Sequence, residues 1–306
     1  MSGGPVLDIS DLRIALPQGS DRPFALEGLN LTVDPGKIVC LVGESGSGKS
    51  LTAGAVMRLL PEPHVHVAGG SIAFEGENIL DKTETEMRKI RGNRISMIFQ
   101  EPMTALNPQK TVGWQIDEVL KLHMKASRSE RRAHAIEMLD RVHIPDPPSA
   151  YNAYPHQVSG GQRQRVMIAM ALSLSPRLII ADEPTTALDV TTQLQILKLI
   201  RELQEEDGAG VLFITHDFGV VAEIADHVVV LRNGVMVETG PVSQVLNEPK
   251  HPYTQALIAS VPALTPPPPK PVTQAPVVLE GTALKKTFAA SGGLLSGKRE
   301  AVVAVR

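Results

Sequence analysis

An α/β fold is predicted by three features of the sequence. Three short aliphatic runs, KIVCLV, PRLIIADEP and GVLFITHD, lack alternation and, apart from KIVCLV, end in polar residues. Such runs are what strands buried on both faces of a parallel sheet require. Helical patterns separate them, as in strand–helix–strand units that bind ligands at the carboxyl ends of the strands. A glycine-rich loop, GESGSGKS at 43–50, follows the first run and leads into the helical SLTAGAVMRLL.

The elements follow in chain order. LNLTV alternates, DPG is turn chemistry, and KIVCLV is the first buried strand. Residues of about 103–159 are polar and helical: VGWQIDEVLKLHM and SRSERRAHAIEMLDRV carry amphipathic spacing and read as an inserted helical subdomain. VSGGQRQRVMIAMAL begins with a hydroxyl and two glycines and continues as a helix, a start suited to an anion. Beyond Val237 two short helices are expected, which closes a first domain over 6–262. A stiff proline linker, 263–277, contains TPPPPKP. In 278–306, VLEGTALKKTF aligns with VLDISDLRIAL at Val6–Leu16, and the later AV at 304–305 with AL at 25–26. The segment therefore reads as the start of an incomplete second copy.

Composition narrows the function classes. The chain has 306 residues, of which 42% are apolar and only 3% aromatic, so its core is aliphatic. With a net charge of −3 and no long basic run, no nucleic-acid partner is expected. The one cysteine, Cys40, reads as a small buried hydrophobe and permits no disulfide within the chain. The longest apolar runs, VMIAMAL and HVVVL, fall far short of the roughly 18 residues that span a bilayer. MSGGPVLDIS has no basic or apolar leader region, so a soluble protein without a signal peptide is expected, one that can still sit on a membrane protein.

GESGSGKS fits the phosphate-binding pattern G-x-x-x-x-G-K-[ST] without a mismatch. Gly43, Glu44, Ser45, Gly46, Ser47, Gly48, Lys49, Ser50 and the following Leu51 are candidate nucleotide-binding residues. Backbone N–H groups wrap the phosphates, Lys49 reaches the β- and γ-phosphates, and Ser50 offers a hydroxyl to Mg²⁺. LIIADEP places Asp182 and Glu183 at a strand end, expected on a strand neighbouring that of the loop. An acidic strand cap in solvent is the plainer reading of such a pair. Beside a phosphate loop, however, Asp182 can hold the Mg²⁺ shell and Glu183 can orient or deprotonate a water. His216 ends the third run within reach of a γ-phosphate, and Asp217 reads as a helix N-cap.

The phosphate loop, SGGQ, ADEP and ITHD, in this order, closely resemble the ATP-binding-cassette ATPases over about residues 6–260. The resemblance implies an ABC-type nucleotide-binding domain with an antiparallel β element, using ATP and Mg²⁺. It implies that two cassettes pair head to tail, so that Ser159, Gly160, Gly161 and Gln162 serve the partner's nucleotide. By the same resemblance Gln100 is a Mg²⁺ ligand linking the subdomains, and Asp189 in TALD addresses the opposing site. Val158 stands where the family favours Leu. Leu16 stands where the family stacks adenine on an aromatic, and what replaces that aromatic is open.

QEPMTALNP and HPYTQALIASVP resemble the oligopeptide, dipeptide and nickel importer branch. HPYT reads physically as a helix start with Pro252 near the first position, a branch marker rather than a catalytic element. No cysteine cluster follows it, so no iron–sulfur cluster is expected, and fused tandem cassettes become the nearer comparison. The implied partners are a second cassette (the same chain or another), membrane permease subunits and, indirectly, a solute-binding protein, at the cytoplasmic face of the membrane. A soluble cassette without a membrane partner is the alternative.

Overall fold

The computed structural model describes residues 4–186, 188–261, 279–288 and 302–305. They fall into two units, Met1–Pro262 and Ala263–Arg306. The strands of the first unit are β1 (Leu7–Ala15), β2 (Phe24–Val33), β3 (Ile38–Val42), β4 (His66–Phe74), β5 (Glu77–Asn78), β6 (Ile95–Ile98), β7 (Leu178–Asp182), β8 (Gly210–Thr215), β9 (His227–Arg232) and β10 (Val235–Pro241). Its helices are α1 (Lys49–Val56), α2 (Glu84–Ile90), α3 (Pro102–Ala105), α4 (Val112–His123), α5 (Arg128–Arg141), α6 (Pro147–Asn152), α7 (Gly160–Leu172), α8 (Val190–Asp207), α9 (Phe218–Ile224), α10 (Val242–Asn247) and α11 (Pro252–Ala259).

Two sheets form. One is antiparallel, in the order β2-β1-β4-β5. The other runs β10-β9-β3-β8-β7-β6, parallel except for β10. All five residues of β3 are buried because each face of the parallel sheet has its own core. Ile38, Cys40 and Val42 join the core that includes α4, α5, α7 and α8. Val39 and Leu41 join the core shared with β1, β2 and β4. This two-sided burial explains the unbroken apolar run.

The helical region appears as α3–α6. Thr111 and Ser127 accept hydrogen bonds from Trp114 N and Glu130 N at the starts of α4 and α5, so local capping sets where both helices begin. α10 and α11 are the two short helices expected beyond Val237. β8 lies between β3 and β7, so Asp182 stands two strands from the phosphate loop rather than on the neighbouring strand. β8 itself ends at Thr215, directly before His216.

The proline linker expected over 263–277 lies outside the described residues. In the second unit β11 (Lys286–Phe288) pairs antiparallel with β12 (Val302–Val305). Lys286 faces Val305 and Thr287 faces Val303, so the pairing slips past Ala304. In the first hairpin Ile14 faces Leu26 and Ala15 faces Phe24, slipping past Ala25.

Candidate functional site

The glycine-rich loop is shaped by close backbone approach. Gly48 has φ +104°, and a Cβ there would lie 2.8 Å from Ala25 O and 2.6 Å from a Leu26 methyl. A Cβ on Gly43 would meet Leu231 O at 2.2 Å. Only glycine lets the loop lie this tightly against β2 and β9. Ser47 O is held by Gly234 N at 3.1 Å, and α1 begins at Lys49.

Lys49 is buried, and its Nζ donates to Gly43 O at 2.7 Å and Glu44 O at 2.9 Å. Burial pushes the ammonium down from its ordinary value, opposed by Glu183, Asp182 and Glu44. Ser50 Oγ donates to Asp182 Oδ1 at 3.1 Å. Burial pushes the Asp182 carboxyl up against the Ser50 hydrogen bond, with the nearby Glu183 charge adding to the rise. A buried carboxylate beside a hydroxyl, with too little compensating charge, is a donor set suited to a divalent cation. Ser47 Oγ is buried and has no protein partner. Together with the cradle of backbone, these groups fit a magnesium nucleotide.

Glu183 is the hub of the facing wall. Its φ is +45°, and its N–H donates to Ile214 O at 2.9 Å, which aims the side chain out of the strand end. Oε2 accepts from Gln100 Nε2 and Thr186 Oγ1, both at 3.0 Å, and Oε1 lies 3.1 Å from His216 Nδ1. Asp217 caps α9 by accepting from Gly219 N. Gly43–Gly46, Gly48–Leu51, Gln100, Glu183, Thr186 and His216 line one cleft of about 610 Å³, together with Leu257 of α11. Gln100 touches Glu183 rather than the Ser50–Asp182 pair.

The signature residues do not line this cleft. Ser159 Oγ accepts from Gln162 N at 3.2 Å, and Gln162 Oε1 accepts from Ser159 N at 2.9 Å, a closed capping box on α7. Asp189 caps α8, accepting from Thr192 N and Thr192 Oγ1. The two helix starts meet, because a Cβ on Gly161 would lie 2.9 Å from Thr192 Cγ2. Gly160 faces open space.

Four further residues, none of them assigned to the site from the sequence, touch it. Thr186 hydrogen-bonds the Glu183 carboxylate. Arg22, in the β1–β2 loop beyond the half-buried Leu16, donates to Gly46 O. Tyr253 and Leu257, from the HPYT helix, reach the loop and the cleft. HPYT is thus more than a branch marker in space.

Residues 26–186 match the family described as ABC transporter, and residues 237–289 match the oligopeptide/dipeptide transporter C-terminal region. The peptidoglycan transport ATP-binding protein YejF of Agrobacterium fabrum is 48% identical over 95% of the chain and 53% of its own length. The oligopeptide transport ATP-binding protein OppD of Bacillus subtilis is 49% identical over 85% of the chain and 72% of its own length. The chain therefore spans about half the length of the first relative. Among solved structures, the ATP-binding cassette MJ0796, dimeric in a post-hydrolysis state with ADP and Pi, superposes with a TM-score of 0.68 at 31% identity. That match covers 77% of this chain and 98% of the other.

Proposed function

The chain belongs to the ABC transporter family, and from that membership we propose that it is the ATP-binding and ATP-hydrolysing subunit of a peptide importer. The observation that carries the reading is the cleft itself: Glu183, braced by Gln100, Thr186 and His216, faces the phosphate loop. The match of 237–289 to an oligopeptide/dipeptide transporter region supports peptides as the cargo.

Two of the three ammonium N–H groups of Lys49 keep Gly43 O and Glu44 O as partners, and the third meets the phosphates on binding. The N–H groups of Gly46–Leu51 cradle the phosphate oxygens. Ser50 and Asp182 would hold Mg²⁺, with Gln100 as a further ligand. The ion, when bound, neutralises charge on the phosphate oxygens. Glu183 accepts a proton from, or orients, the attacking water. His216 holds the carboxylate in place and faces the γ-phosphate.

A second cassette supplies its Ser159–Gln162 and Asp189 equivalents from across the interface, in keeping with their position outside this chain's own cleft. The assembly sits peripherally at the cytoplasmic face of the membrane on permease subunits fed by a solute-binding protein. Among the described residues no helix is long and apolar enough to cross a membrane. Residues 6–262 form the cassette, and 278–306 read as the start of a second copy. The shared slip past Ala25 and Ala304 supports that division.

Glu183→Gln tests the assignment. Binding of MgATP should persist within about threefold, while turnover falls at least about a hundredfold, the contribution expected of a general base. Hydrolysis by the variant near the original rate would remove Glu183 from its role. Recovery of the chain with ribosomes or DNA, and never with membranes, would favour a soluble cassette instead.

A further inference from the structure

HPYT begins α11, and the physical chemistry of that start brings a tyrosine to the phosphate loop. Pro252 occupies the first turn, where its missing N–H costs nothing. His251 Nδ1 accepts from Tyr253 N at 3.1 Å. Glu238 of β10 accepts from Lys250 N at 2.8 Å and His251 N at 3.0 Å, which ties the helix start to the sheet. Tyr253 is thereby turned inward, with 7% of its surface exposed. The Arg232 guanidinium lies 5.0 Å from its ring centre.

The hydroxyl of Tyr253 accepts a hydrogen bond from Glu44 N at 3.2 Å. That N–H belongs to the Gly43–Glu44 peptide. The oxygen of the same peptide, Gly43 O, accepts from Lys49 Nζ at 2.7 Å. One peptide plane is therefore gripped at both ends, by Tyr253 on its nitrogen side and by Lys49 on its oxygen side. Peptide planes are rigid, so tilting one end moves the other. Donation by the N–H also polarises the carbonyl and strengthens it as an acceptor. A Cβ on Gly43 would collide with Leu231 O at 2.2 Å, so the plane also sits where the backbone has little room to shift.

We propose that Tyr253 is a positioning residue for phosphate binding: its hydroxyl fixes the Gly43–Glu44 peptide and, through it, the stance of Lys49. The inference rests on the ATP reading of the cleft. It makes the transporter-type C-terminal region part of the nucleotide site. Lys49 meets the phosphates in the bound state and in the transition state alike. Loosening it should raise KM and leave kcat nearly unchanged.

Tyr253→Phe keeps the ring, its packing and the Arg232 contact and removes only the hydroxyl. The experiment measures Kd for MgATP, KM, kcat and the Tm of the nucleotide-free full chain, beside Lys49→Ala and Tyr253→Leu. The expected result for Tyr253→Phe is a three- to tenfold rise in Kd and KM and kcat within twofold. Its Tm should fall by no more than about 4 °C, the scale of one lost hydrogen bond. Tyr253→Leu should lose both affinity and a larger share of Tm. Wild-type affinity and KM in Tyr253→Phe would overturn the proposal and leave Tyr253 a packing residue. Failure of the wild-type chain to bind MgATP, or equal binding by Lys49→Ala, would instead overturn the ATP reading itself.

Discussion

Asp182 shows at the scale of one residue how a buried carboxylate with little compensating charge costs the fold stability. Its carboxyl is buried at the end of β7 with one hydroxyl donor, Ser50, and burial raises its pKa above the ordinary 3.8. A raised acid pKa means that the folded state disfavours the charge. Stability is therefore lost as pH rises from the ordinary value through the raised one. Asp182→Asn removes the charge and keeps an acceptor for Ser50. The nucleotide-free variant should melt about 2–4 °C higher, the shift that ~1 kcal/mol gives a domain of this size. The Tm gain on adding MgATP should shrink. A lower Tm for the variant without nucleotide would refute this account. Lys49, Ser50, Asp182, Glu183 and His216 are legible in the sequence because each sits at the end of a buried strand, directly after one, or where the glycine-rich loop after one turns into a helix. Tyr253 is not, since its partner Glu44 lies 209 positions away and only the return of α11 onto the loop joins them.

Among the elements, α7 carries the clearest division of labour. Its start is satisfied internally by the Ser159–Gln162 capping box, and it stands outside the chain's own cleft. If the start serves a second cassette, two damaged chains can complement each other. Chains carrying Lys49→Ala and chains carrying Ser159→Arg, with different tags, should each trap no nucleotide alone. Their isolated heterodimers should trap one nucleotide, because both lesions then fall on a single composite site. Heterodimers that trap none would place the signature in the chain's own site. β3, β7 and β8 are legible as unbroken aliphatic runs. β4 is not: HVAGGSIAF contains a glycine pair, and its first residues are partly exposed. β6 is only four residues, too short for periodicity to register.

Across the molecule, the parallel sheet separates two cores, and the phosphate loop leaves its central strand. The antiparallel sheet was legible only through its first strands, because β4 depends on tertiary pairing with β1 and β5 on pairing with β4. Cys40 lies midway along β3, opposite Phe213 and Val228, with none of its surface exposed. Burial pushes its thiol far above the ordinary range, so it presents no thiolate to a reagent. It is also the single cysteine of the chain. Alkylation must therefore wait for the middle of the sheet to open, and the native protein contains its own clock for global unfolding. Under mild denaturant, MgATP at about a hundred times its Kd should slow that alkylation roughly a hundredfold, since only the folded state binds it. Labelling at the same rate with and without nucleotide would mean that the thiol is reached by a local opening that leaves the nucleotide cleft intact.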